Sequence, residues 1–195
     1  MEKTVRRQLT AYRKQGGTEM SDQTRPSSSL LPPTFVNDHT AIRVTDIEKS
    51  TLFYIEAFGA EILTNPFIIE GAFAEEMLEG PLGVRFKLRQ LSFARGVIEL
   101  FQFLEPAFSA SPTHATMSAI MHMGFQVDDV EASALRVERA GGRLLHSVTS
   151  WGNSKLVFCA DPDGNVIEIA DAPIRDLIKS TIKSFPEADP RPRHL

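Results

Sequence analysis

The chain is predicted to be an α+β protein made of two paired βαβββ modules, whose curved mixed sheet forms a cup around a metal site. Three observations lead there. Residues 39–63 and 122–146 repeat one another at an offset of 83 positions, sharing His39/His122, Val44/Val127, Asp46/Asp129, Glu48/Glu131, Ser50/Ser133, Leu52/Leu135, Ala57/Ala140 and Gly59/Gly142. Each copy passes from strand periodicity to helix signals and back. Each then ends in a strand carrying the string V-I-E, at residues 97–99 and 166–168. Self-similarity at a fixed offset sets the architecture before local propensity does.

The elements follow in order. Residues 1–37 are polar, with Gly16-Gly17, Ser27-Ser28-Ser29 and Pro32-Pro33, and read as a mobile N-terminal extension with too little apolar surface to order itself. The first module spans 38–104. Its opening stretch, 39–44, alternates His, Ala and Arg against Thr, Ile and Val, the period of a half-buried strand. Thr45 with Glu48 makes a capping-box pattern that opens a helix, and Asp128 with Glu131 repeats it in the second module. Gly59 and Gly142 suit left-handed turns at the two helix ends. A second strand is expected around 61–64 and again around 143–148.

Two hairpin-like strands complete each module, near 83–91 and 96–103 in the first, and near 155–160 and 165–170 in the second. The second pair is joined by Asp161-Pro162-Asp163-Gly164, where proline presets φ and glycine supplies a positive one. The second module spans 122–171, after a linker over 105–121. The first module carries about 14 extra residues, falling within 65–81. Phe67, Ile68, Ile69, Phe73, Met77 and Leu78 make that insertion a flap or short helix. Over 172–195, a helix at 173–185 using Ile174, Leu177, Ile178 and Ile182 precedes a loose tail.

Composition narrows the function classes. At 195 residues, with 42% hydrophobic and 24% charged residues, the chain has the balance of an ordinary globular protein able to bury a core. A net charge of −4 offers nothing to nucleic acid or an anionic membrane. One cysteine, Cys159, excludes an internal disulfide framework and fits a reducing, cytoplasmic setting. It reads as a small buried hydrophobe. No secretory h-region or membrane-length apolar run is present.

The chemistry is expected at four residues. Glu99 and Glu168 each stand inside an otherwise apolar strand, where an ionised carboxylate without a partner is costly. His39 and His122 open the first strand of each module. Two carboxylates and two imidazoles compensate one another if they converge on a divalent cation. Period-two alternation puts His39, Ala41 and Arg43 on one face, with His122, Gly124 and Gln126 matching them. Glu99, Phe101 and Phe103 share a face likewise. Arg43 and Gln126, at equivalent repeat positions, and Phe101 and Phe103 are the candidate substrate contacts. His114 and His146 read as loop or surface residues, His194 as tail, and Glu75 and Glu76 as solvated.

These residues carry a resemblance. The motifs H-T-A-I-R-V-T-D, M-H-M-G-F-Q-V-D-D, V-I-E-L and D-P-D-G-N-V-I-E-I, over about 38–171, are similar to the vicinal oxygen chelate superfamily. That superfamily includes glyoxalase I, methylmalonyl-CoA epimerase, extradiol dioxygenases and the bleomycin and fosfomycin resistance proteins. The resemblance implies one divalent metal ion held by His39, Glu99, His122 and Glu168. Zn, Ni, Co, Mn and Fe all suit two imidazoles and two carboxylates. It also implies a small-molecule substrate with adjacent oxygens and an isomerase, epimerase or lyase reaction through a metal-chelated enediolate. Glu168 is the first choice of base and Glu99 the second. The chain departs from glyoxalase I at Phe103, where an asparagine that helps hold glutathione is expected. An iron-dependent extradiol dioxygenase is the first alternative, although such enzymes normally lack a carboxylate at the Glu99 place. A metal-free antibiotic-binding protein is the second. Because the ligands come from both modules, which meet within one chain or across two, a homodimer is expected.

Overall fold

The computed structural model describes residues 38–78, 80–107 and 120–190. The expected extension at 1–37, most of the linker, His114 and His194 lie outside them. Two five-stranded mixed sheets are present, each accompanied by one long helix. In the first module, β1 (His39–Arg43) leads into α1 (Ile47–Phe58) and β2 (Glu61–Ile62). The insertion then forms β3 (Phe67–Glu70) and α2 (Ala72–Leu78), before β4 (Arg85–Ser92) and β5 (Val97–Glu105). In the second, β6 (Met123–Gln126), α3 (Val130–Arg139) and β7 (Arg143–Leu144) precede β8 (Thr149–Trp151), β9 (Ser154–Ala160) and β10 (Val166–Ala170). Helix α4 (Ile174–Ser184) follows.

The sheets share one topology. The first runs β1-β5-β4-β2 with β3 also on β4, and the second β6-β10-β9-β7 with β8 also on β9. In each, the opening strand lies parallel to the closing one and every other pairing is antiparallel. The duplication seen as letters is therefore a duplication of hydrogen-bonding pattern, although the sheets do not close into one surface.

One core joins the modules. Helices α1 and α3 pack on each other, and Ile47, Phe53, Tyr54, Leu100, Val130, Val137, Ile167 and Ile169 are buried in a single cluster. Alternation along β5 and β10 sends Ile98, Leu100, Ile167 and Ile169 into that core, and Glu99 and Glu168 to the opposite face. Phe58 of α1 stacks on Phe125 of β6 with ring centroids 4.6 Å apart. A second, smaller core of Ala74, Val84, Phe86 and Leu88 sits under the insertion.

The turn at 161–165 ties the modules together. Asp163 accepts from the Thr45 N–H at 3.0 Å, from the Thr45 hydroxyl, and from Ser50 Oγ at 3.0 Å. Asn165 Nδ2 donates to the Arg43 carbonyl at 3.1 Å. Asp161 is almost fully buried and accepts from Tyr54 Oη. Burial raises its carboxyl above the usual range, against the hydrogen bonds from Asn165 and Tyr54. Burial, with Asp161 nearby, pushes the Cys159 thiol up to about 12, so this cysteine is an inert core residue, as expected.

Several local expectations need correction. The helix caps are Asp46 and Asp129, one residue beyond Thr45 and Asp128. Asp46 accepts from the N–H groups of Glu48 and Lys49, while the Thr45 hydroxyl is drawn to Asp163. At the end of α3 the left-handed residue is Gly141, with φ 91°, rather than Gly142. Gly142 is required for space instead: a Cβ there meets the Ala160 carbonyl and the Phe53 ring at 2.7 Å. Helix α4 buries Leu177 but leaves Ile174 and Ile178 exposed.

Candidate metal centre

Strand pairing builds two matching histidine–glutamate pairs. In the first module His39 lies opposite Val97 and Glu99 opposite Ala41, so histidine and glutamate are diagonal neighbours across parallel strands. In the second, Glu168 lies opposite Gly124 and Met123 opposite Ile167, which sets His122 in the same relation. His39 Nε2 is 3.8 Å from Glu99 Oε2, and His122 Nε2 is 3.1 Å from Glu168 Oε2. The glutamate side chains are only 18% and 15% exposed, so each carboxylate has exchanged most of its water for an imidazole neighbour. Ala41 and Gly124 stand opposite the glutamates, and a Cβ at Gly124 meets nothing within 4 Å.

Among the described residues, no three histidine, cysteine, aspartate or glutamate side chains of one chain form a group able to hold a metal ion. Each module thus supplies a pair. A pair of one imidazole nitrogen and one carboxylate oxygen is half of the four-donor set that divalent transition metals take. The donor types fit such an ion, and a further pair completes it.

Outer partners differ between the modules. His39 Nδ1 faces Asp38 Oδ2 at 3.4 Å, and Gln90 Nε2 donates to Glu99 Oε1 at 3.0 Å. In the second module the ring of Phe158 stands edge-on to His122, with centroids 5.2 Å apart. Behind it, His146 Nε2 accepts the Phe158 N–H at 3.1 Å, while His146 Nδ1 lies 2.7 Å from the Ser147 carbonyl. These contacts require the neutral Nδ1–H tautomer. His146 is thus exposed, as expected, yet it also carries a structural bond. Gln90 carries no signal of a role in the sequence, and the backbone bond of His146 goes beyond its reading as a loop or surface residue. Strand register, which sets Gln90 opposite Glu99, is the signal that points to it.

Four residues were expected to touch substrate. Arg43 lines a cavity of about 340 Å³ whose remaining walls are Leu78, Gly80, Pro81, Val84, Phe103, Pro106 and Ala107. Its guanidinium lies 5.4 Å from the Phe103 ring centroid. Phe101 stacks on Phe86 at 5.0 Å and packs against the small core under the insertion. Gln126 is exposed on the equivalent strand of the second module. Glu75, expected to be solvated, is half-buried and accepts the Gly83 N–H at 2.6 Å, holding the loop that walls the cavity.

Both modules follow one plan, with a histidine at or just before the opening strand and a glutamate within the closing one. The chain belongs to the Glyoxalase/Bleomycin resistance protein/Dioxygenase superfamily, whose family model matches residues 37–169. It is 26% identical over 143 residues to the lactoylglutathione lyase of Schizosaccharomyces pombe, covering 70% of this chain but only 47% of that protein. It is 28% identical over 134 residues to the probable lactoylglutathione lyase of Vibrio parahaemolyticus, covering 67% of this chain and 86% of that one. The fold is shared with a glyoxalase family protein from Bacillus cereus, at a TM-score of 0.62 and 19% identity over 75% of this chain and 97% of that one. It is also shared with FosX, the fosfomycin resistance protein of Listeria monocytogenes solved with Mn(II) and sulfate. There the TM-score is 0.50 and the identity 15%, over 76% of this chain and 99% of that one. Among the described residues no helix is long and apolar enough to cross a membrane.

Proposed function

We propose that the protein is a divalent-metal-dependent lyase, isomerase or epimerase acting on a small molecule with two adjacent oxygens. The observation carrying this reading is the twin pair, His39–Glu99 and His122–Glu168, set at the same register in two copies of one module. His39, Glu99, His122 and Glu168 hold the cation, which supplies Lewis-acid polarisation of the substrate oxygens. Because one chain offers the donors as separate pairs, the reading is a homodimer in which the pair of one copy meets the complementary pair of another. The one-sided hydrogen bonding of β1 and β6 supports it, since among the described residues each opening strand is paired only to its closing strand.

The chain's own residues do the remaining work. Glu168 takes the proton from the carbon beside the polarised carbonyl and returns it, and Glu99 is the alternative base. Arg43 orients an anionic or carbonyl group of the substrate from the cavity wall it lines, with Phe103 excluding water beside it. The names of the relatives support lyase chemistry, and a histidine–glutamate pair in each module weighs against a metal-free sequestering protein.

Elemental analysis of purified protein, joined to deuterium incorporation from solvent into α-hydroxycarbonyl and thiohemiacetal substrates, tests this. The expected result is a stoichiometric divalent metal and exchange that stops on chelation. Full exchange after metal removal, or oxygen uptake with a catechol on an iron-loaded protein, overturns it.

A further inference from the structure

Directly across the sheet from its glutamate, each module sets a different side chain: Gln90 opposite Glu99, and Phe158 opposite Glu168. The backbone around the two is the same. The Leu63 N–H donates to the Gln90 carbonyl at 3.0 Å, and the Leu145 N–H to the Phe158 carbonyl at 2.8 Å. The Gln90 N–H is taken by Thr64 Oγ1 at 3.1 Å, and the Phe158 N–H by His146 Nε2 at the same distance. Gln90 and Phe158 are therefore structural equivalents, and the two half-sites diverge in what the side chain offers.

Gln90 offers a donor. Its amide holds Glu99 Oε1 at 3.0 Å, which leaves Oε2 turned toward His39 Nε2. A carboxylate tethered through one oxygen cannot rotate about its terminal torsion without giving up a charge-assisted hydrogen bond. Phe158 has no donor to give, and its ring is set against the His122 imidazole. We propose that Gln90 is a positioning residue that locks Glu99 into the orientation of a metal ligand, a second tether that Phe158 does not give Glu168, whose carboxylate is met by His122 Nε2 at 3.1 Å. This inference rests on the metal reading above.

Cobalt(II) titration of the full chain, followed by calorimetry and by visible d–d absorption, is the test. Removing an outer partner of a metal ligand lowers affinity by roughly 10–100-fold, so Gln90→Met is expected to bind cobalt at least about tenfold more weakly, with a shifted absorption band. Phe158→Gln installs the missing donor opposite Glu168 and is expected to tighten cobalt several-fold. Wild-type binding with an unchanged affinity in Gln90→Met overturns the inference and leaves the metal reading standing. Failure of wild type to bind cobalt overturns both. If Gln90→Met lacks a cooperative melt, Phe158→Gln carries the test, and an affinity equal to wild type overturns the proposal.

Discussion

Tyr54 Oη donates to Asp161 Oδ2 at 3.0 Å, joining the helix of the first module to the turn of the second across 107 positions of sequence. Both residues are buried, and Asp161 also accepts from Asn165 Nδ2 at 2.8 Å and from the N–H groups of Asp163 and Asn165. Tyr54→Phe removes one of four donors to a buried carboxylate. The expected loss is about 1–3 kcal/mol, read from urea unfolding midpoints at constant slope.

The same carboxylate gives the stability a pH slope. Burial raises the pKa of folded Asp161 above its ordinary value of 3.8, so between those two points the folded state binds more protons than the unfolded one. Stability from this group is therefore full below the unfolded pKa and declines as pH rises through the folded one. Asp161→Asn removes the titration. The stability difference between wild type and variant is expected to move in favour of the variant as pH climbs from 4 toward neutrality; a difference independent of pH refutes the account.

Glycine positions separate space from backbone conformation. At Gly142 a methyl group meets the Ala160 carbonyl, the Phe53 ring and Val137 Cγ1 at 2.7–2.8 Å, so Gly142→Ala is expected to cost about 1–3 kcal/mol through overpacking. At Gly164 space is open but φ is 89°, so Gly164→Ala is expected to cost about 1–2 kcal/mol through backbone strain alone. Thermal melts of the two variants check this, together with a structure of Gly142→Ala showing a displaced Phe53.

His146→Ala strips the acceptor from the Phe158 N–H, and no equivalent loss occurs in the first module, where Thr64 accepts. The expected cost is about 1–2 kcal/mol. Hydrogen exchange at the Phe158 amide should quicken while the Gln90 amide stays protected. Equal protection at Phe158 in variant and wild type contradicts the assignment.

A site shared between copies has a complementation signature. A His39→Ala/Glu99→Ala variant and a His122→Ala/Glu168→Ala variant each lack one pair. Mixing them creates dimers in which one site has all four donors and the other has none. Cobalt binding is expected to return at one ion per mixed dimer. If the mixture binds no better than its parts, the two pairs do not meet across copies.

Much of the fold was legible because its signals are local. The opening and closing strands of each module, the 161–164 turn and the closing helix depend on residues within a few positions of one another and appear where expected, whereas the strand expected over 143–148 stops at Leu144. Local reading failed where a distant partner competed. Thr45 has the residue type of a cap, but Asp163, 118 positions away, takes its hydroxyl and moves the cap to Asp46. Gly142 resembles a turn glycine, yet Phe53 and Ala160 are what demand it. Gln90 and Glu75 look like ordinary polar residues until strand register and loop packing give them partners.

The candidate site divides in the same way. Alternation along a strand, with V-I-E recurring in both copies, was enough to put each histidine and glutamate on the side of the sheet away from the core. Side-chain facing is a property of backbone pitch and needs no knowledge of the rest of the chain. How the modules turn against each other is another matter. It is decided by burial of Phe53, Tyr54, Val130 and Val137 between α1 and α3, and by the clasp of Asp161 and Asp163 on the first helix. Those contacts join residues about a hundred positions apart, so no local pattern encodes them. They leave the four donors as two pairs rather than one cluster within a chain.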